Sequence, residues 1–376
     1  MPEPMSPPSP PSERPTGSPN PAGRVDPPLQ LVWGPAGHGV TDYGADVARA
    51  VTRVVAQEPQ DRVSGIRIAR VANLDEALGA AADATRVHLH VTDRLLGSSL
   101  EEAADALERL AAASRVTVTL HDLPQESDGT GYPRRVAAYA RFVAAAAGVV
   151  VNSEHERRLV AEHLPGSPEP HVIPLGARVA AAPPYPADLG TTDLVVLLAG
   201  YVYPGKGHAL ALDAASDAVR ALRADGHPVG RPVVRALGGV SPGHEADLAL
   251  LQRRADERGA RLEVTGFLAD ADFAAAMRMP GVPVAAHEHV SASRSMLDWV
   301  EAGRRPLVIA SRYSREMAEL RPDTTDVFEP EDLADRLVER WLAPERTRLD
   351  GARSLRPSLD DVAGDYLAWW RTEAPR

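Results

Sequence analysis

The sequence contains no cysteine, which removes disulfides, thiolate nucleophiles and cysteine-ligated zinc or iron–sulfur centres in one step. No run approaches the ~20 uninterrupted apolar residues of a spanning helix, and the start lacks the basic-then-apolar order of a signal peptide. The expected location is cytoplasmic, with peripheral membrane contact left open. A basic excess is also missing: 52 acidic against 41 basic residues leave a formal charge of −11. That balance disfavours phosphate backbones, so nucleic acid is not an expected partner. What is present, 376 residues of which 44% are hydrophobic and 25% charged, suits a soluble globular chain of two domains at roughly 150 residues each.

Lysine is almost absent. Of the 41 basic residues only Lys206 is a lysine and the other 40 are arginine. A guanidinium is a broad planar fork and an ammonium a compact point charge. A site that needs the compact charge would resist replacement, so Lys206 is singled out before any motif is considered.

Residues 1–28 hold 11 of the 34 prolines and read as a disordered arm. From residue 29 short apolar runs alternate with longer segments of helical period, the signature of βαβ units around parallel sheets. Strands are expected at 29–33, 66–71, 87–91, 116–120, 149–152 and 171–174, with helices at 43–57, 100–114, 134–147 and 154–164. The segment 179–189 carries three prolines and no period, and reads as a linker. A second series follows, with strands at 194–199, 233–237, 262–265, 282–286 and 306–310. The expected fold class is α/β with two doubly wound, Rossmann-like domains facing a cleft. The boundaries are 29–178 and 190–345, with a helical segment at 346–376. Ligands in such sheets lie beyond the carboxyl ends of the strands, so the residues just after each strand matter most.

Gly37-His38-Gly39 follows the first strand, where glycines let backbone N–H groups approach a phosphate or simply make a tight turn. His88 and His90 lie two apart on one strand, where a core or surface place is favoured over a site role, and His121-Asp122 follows another. A strand-end histidine beside a cleft can donate to a sugar hydroxyl. Lys206 sits in Gly200-Tyr-Val-Tyr-Pro-Gly-Lys-Gly207, where a flexible ammonium among small residues can reach a diphosphate. Ser291, Ser293 and Ser295 precede an apolar helical period and suit an N-cap with its anion-binding N–H groups. Asp298 falls one turn further on. Asp270-Ala-Asp272 reads as helix capping. His287-Glu-His289 has metal-binding residue types but no placed third ligand, so no metal is expected.

Taken in order, GHGV at 37–40, VTLHD at 118–122, VVVNSEHERRLV at 149–160, HVIPLGA at 171–177, LAGYVYPGKGHALALDA at 198–214 and LEVTGFLADADF at 262–273 resemble the family 4 glycosyltransferases. These are two-domain GT-B enzymes that use nucleotide sugars. The wording HVSAS with GRRPL is similar to a divergent, actinobacterial-type subgroup. The resemblance implies that Gly37 and Gly39 form a phosphate turn, His121 meets the donor sugar and Lys206 binds the diphosphate. It further implies Phe267 and Leu268 at the base, Asp298 at the ribose and Glu316 as a further donor-side glutamate. Gly200, Ser293, Arg294 and Ser295 complete the expected donor pocket, and His88, His90 and Asp122 an acceptor side. Tyr366, Trp369 and Trp370 fall in the helix that such proteins return to the first domain.

Two departures stand out: Tyr201 replaces the family's arginine, and Val290 the first of two glutamates. Arg294 offers a replacement for the missing cation, against the favoured reading of one solvated arginine among 40. The activity implied is retaining, metal-independent transfer to a hydroxyl of a sugar, lipid-linked or small-molecule acceptor, with the nucleotide sugar as co-substrate and no cofactor. A non-catalytic nucleotide-sugar-binding subunit, or a GT-B epimerase or phosphorylase, is the alternative.

Overall fold

The computed structural model describes residues 26–57, 65–93, 95–178, 192–351 and 353–373. Most of the 1–28 arm and the whole 179–189 linker lie outside them. The first half runs β1 (Leu29–Trp33), α1 (Gly39–Gln57), β2 (Ile68–Val71), α2 (Leu74–Ala81), β3 (Arg86–Val91), α3 (Leu100–Ala113), β4 (Arg115–Leu120), α4 (Tyr132–Ala145), β5 (Gly148–Val151), α5 (Glu154–His163) and β6 (His171–Val172). The second runs β7 (Leu194–Ala199), α6 (His208–Ala224), β8 (Pro232–Leu237), α7 (Glu245–Arg258), β9 (Arg261–Val264), α8 (Asp270–Met277), β10 (Val282–Ala285), α9 (Arg294–Glu301), β11 (Leu307–Ile309), α10 (Arg312–Leu320), β12 (Asp326–Phe328), α11 (Leu333–Leu342) and α12 (Leu359–Thr372).

Each half forms one parallel six-stranded sheet, in the orders β2-β1-β3-β4-β5-β6 and β12-β11-β10-β7-β8-β9. Strand alternation explains why both faces are covered. Leu194, Val196 and Leu198 of β7 pack with α6, α7 and α11, whereas Val195, Leu197 and Ala199 meet Met277 and Trp299 on the other face. α12 lies against α1, and its Tyr366, Trp369 and Trp370 share a buried cluster with Tyr43, Val47, Val51 and Ile173. The two halves touch through α5 and α10. No helix among the described residues is long and apolar enough to cross a membrane.

Differences from the sequence reading are local. α2 and β12 are additional elements, eight and three residues long, too short to show a period. β6 pairs for only two residues. Asp270 and Asp272 sit in the first turn of α8, but the N-cap is Ala269, so neither aspartate is the cap.

Candidate functional site

In the second sheet the chain moves outward from β7 to β8 and β9, then returns to place β10 on β7's other side. This reversal is a switch point, where ligands bind in open α/β sheets. The loops leaving β7 and β10 meet there, because Val284 pairs with Leu198 and the strand exits are level. Gly207 holds them together at φ +93, where a Cβ would come within 2.3 Å of the Ala286 carbonyl oxygen. Only glycine fits.

Lys206 is buried in this junction, 6% exposed. Its Nζ donates to Nε2 of His287 at 2.6 Å and to Oγ of Ser295 at 3.2 Å. Gly200 leaves the ammonium room, since a Cβ there would lie 3.3 Å from Nζ. Burial lowers the Lys206 pKa to about 8, opposed by the field of Asp298. His287 is held well below the ordinary imidazole range by burial, then by Lys206 and His208, so it is a neutral acceptor. Burial and Lys206 push His208 down to about 4. Neither His208 ring nitrogen has a hydrogen-bond partner among the described residues.

α9 points its start at the same place. Ser293 is the N-cap and its side chain accepts from Met296 N, while Ser293 N donates to the Tyr313 hydroxyl at 3.0 Å. The first-turn N–H groups of Arg294 and Ser295 have no carbonyl behind them in the helix. With the ammonium beside them they form a concentrated positive end. Along the row, Gly238 and Gly239 leave β8 beside Gly200, and Gly239 lies against the Phe267 backbone. Phe267 is 75% exposed, the most exposed large apolar side chain among the described residues. Leu268 is half-buried beside it.

Arg294 does not act as the substitute cation. Its Nε donates to Asp298 at 2.8 Å and its other end to Glu301, so both faces of the fork are neutralised inside the helix's own ion pairs. Asp298 is correspondingly engaged, although its charge still reaches Lys206. Glu316 is also misplaced by the sequence reading. Its carboxylate accepts from the N–H groups of Glu154 at 2.7 Å and His155 at 2.8 Å, capping α5 of the other half rather than facing a donor.

In the first half, Gly37 lies in an exposed turn before α1 and Gly39, also exposed, opens that helix; Gly37 N donates to Asp42 at 3.0 Å. Asp122, at φ +51, pairs with Arg135 at 3.0 Å. Burial and then its charge raise the Tyr203 phenol. His88 and His90 are not on an acceptor wall. Both point beneath α1 and α12, with the His88 ring 5.2–5.3 Å from those of Trp370 and Tyr366 and 0% exposed.

His121 is drawn into the same layer. Its Nε2 lies 2.9 Å from His90 Nδ1, and Asn152 Nδ2 donates to its Nδ1 at 3.3 Å. With both ring nitrogens engaged it is a buried, neutral structural residue, not a free strand-end donor. Burial lowers all three histidines.

A residue that sequence reasoning passed over joins the halves. Glu156 of α5 is fully buried and accepts from Ser291 Oγ at 2.5 Å and from Asn152 N at 2.6 Å. Ser291 in turn accepts from Leu123 N at 2.9 Å. His287 was visible only as a metal-type residue. In the fold, the motif splits, with His287 inward and Glu288 and His289 exposed. Among the described residues no three His, Asp or Glu are placed to hold a metal ion.

No family model matches the sequence, and no curated protein matches it. Solved structures do match in fold. Anabaena HepE in complex with UDP and glucose aligns at 14% identity and TM-score 0.60, over 92% of this chain and 98% of that one. OtsA without ligand aligns at 14% and 0.55, over 80% and 74%. A trehalose-6-phosphate synthase, studied with bisubstrate glycomimetics for glycosyltransfer with retention, aligns at 12% and 0.52, over 79% and 72%. The architecture is GT-B: two Rossmann-like, doubly wound domains facing an interdomain cleft.

Proposed function

We propose that the chain is a family 4-like glycosyltransferase that moves a sugar from a nucleotide-diphosphate sugar to an acceptor hydroxyl, with retention and without a metal ion. The observation that carries this reading is the buried Lys206 ammonium at the β7/β10 switch point, beside the start of α9 and hydrogen-bonded only to neutral groups. HepE, whose structure holds UDP and glucose on a similar fold, supports it. Breaking the anomeric bond puts negative charge on the diphosphate. Preorganised N–H groups and a cation aimed at that charge are the largest available catalytic contribution. Lys206 and the first turn of α9 supply them. The base would lie along the backbone of Phe267 and Leu268, with the ribose near Asp298. The acceptor would enter past the 34–39 turn and Asp122. Its hydroxyl attacks from the leaving group's own face, and a diphosphate oxygen takes its proton.

The test is a thermal-shift panel of UDP, GDP, ADP and TDP sugars, since a ligand of the native state raises Tm. Turnover with and without acceptors follows. Free nucleotide released only with acceptor supports transfer. Binding without turnover identifies a binding subunit, and an epimer formed without acceptor an epimerase.

A further inference from the structure

We infer that His287 is a second, proton-acquiring cation of the diphosphate pocket. The imidazole that accepts from Lys206 takes up one proton from solvent when a nucleoside diphosphate group enters, and then donates to a phosphate oxygen beside the lysine. This rests on the proposed nucleotide-sugar reading.

Lys206 Nζ is buried and bonded to an imidazole and a hydroxyl, and no carboxylate among the described residues hydrogen-bonds to it. A buried charge without a partner of opposite sign is unfavourable, so the pocket is built for an incoming anion. Asp298 cannot fill that role because its carboxylate is held by Arg294. The groups facing His287 are Lys206 from the β7 loop, His208 at the start of α6 and Ser295 on α9, with Asp298 one turn further. Its own loop adds only the exposed Glu288 and His289.

Burial, and then the ammonium at 2.6 Å, keep His287 neutral before a ligand enters. A diphosphate reverses the local field, and an opposite charge within hydrogen-bond range favours the protonated form. The lysine–histidine bond then opens and each group donates to phosphate. His208 has no hydrogen-bond partner for either nitrogen among the described residues and is the nearest competing proton acceptor, so the test must separate the two.

The experiment is titration calorimetry with whichever of UDP-, GDP-, ADP- or TDP-glucose binds, in two buffers of different ionisation enthalpy. A diphosphate diester carries no proton of its own near neutrality. At pH 7 the wild type is expected to take up roughly one proton per ligand and to bind about tenfold more tightly at pH 6.5 than at pH 8.5. His287→Gln can still accept from Lys206 but cannot titrate. It should show no uptake at pH 7 and flat affinity below that, keeping only the weakening near pH 8 that belongs to Lys206. His208→Phe should retain the uptake. Wild-type binding without proton uptake, uptake retained in His287→Gln, or uptake lost in His208→Phe would each overturn the inference alone. Failure of every nucleotide sugar to bind would overturn the proposed function with it.

Discussion

Glu156 offers the most quantitative test of how the two halves are joined. Its carboxyl is fully buried between Asn152 of its own domain and Ser291 of the other, and burial raises its pKa to about 7 despite those hydrogen bonds. An acid whose pKa is higher in the folded state binds its proton more tightly there. Folding stability therefore falls as pH rises from the unfolded value of 4.5 to about 7, and is level beyond. The cost of holding the ionised form reaches about 3 kcal/mol. Glutamine removes it, since its oxygen can accept from Asn152 and its amide can donate to Ser291 Oγ. In urea denaturation at pH 5, 6, 7 and 8, Glu156→Gln should gain on the wild type steadily up to pH 7, by about 2 kcal/mol over that range. A difference between the two proteins that stays constant across that range would refute the assignment of a buried, protonated glutamate to this interface.

Lys206→Ala should lower the transfer rate by roughly 100- to 1000-fold, and Lys206→Arg should also be poor because the wider fork does not fit against Gly200; steady-state turnover equal to wild type in both would return Lys206 to a structural role. Chelators should leave activity intact, and activity lost in chelator and restored by Mg²⁺ or Mn²⁺ would contradict the metal-free scheme. Arg294→Ala should act on stability rather than on phosphate contacts. It leaves Asp298 and Glu301 in a largely buried setting with the more distant Arg178 guanidinium, at 3.9 and 4.0 Å, and denaturation should show a loss of about 1–3 kcal/mol. Gly207→Ala forces a side chain into the Ala286 carbonyl at positive φ, and should lower Tm with a loss of at least about 1–3 kcal/mol.

The strands that the sequence made legible are those whose apolar runs are continuous because both faces are covered, such as 194–199 and 149–151. Buried parallel strands leave that trace, and serine caps such as Ser293 marked helix starts in the same local way. Short elements left none: β12 depends on pairing with β11, not on its own three residues. Among site residues, Lys206 was legible because a composition bias had removed every other lysine. His287 was not, because its significance lies in facing Lys206 across 81 positions of sequence.

Local pattern therefore determined the two-sheet α/β organisation and the loop that carries the compact cation, since period, capping and turn residues act over a few neighbours. The tertiary structure alone decided which charged groups remain available. Arg294 and Asp298 neutralise each other one turn apart, Glu316 is claimed by the start of α5, and His121 is claimed by His90 and Asn152. Hydrogen bonds and ion pairs saturate. Opposite charges that packing brings within 3 Å, such as Arg294 and Asp298, hold each other, and no spacing along the chain records which partner arrives first.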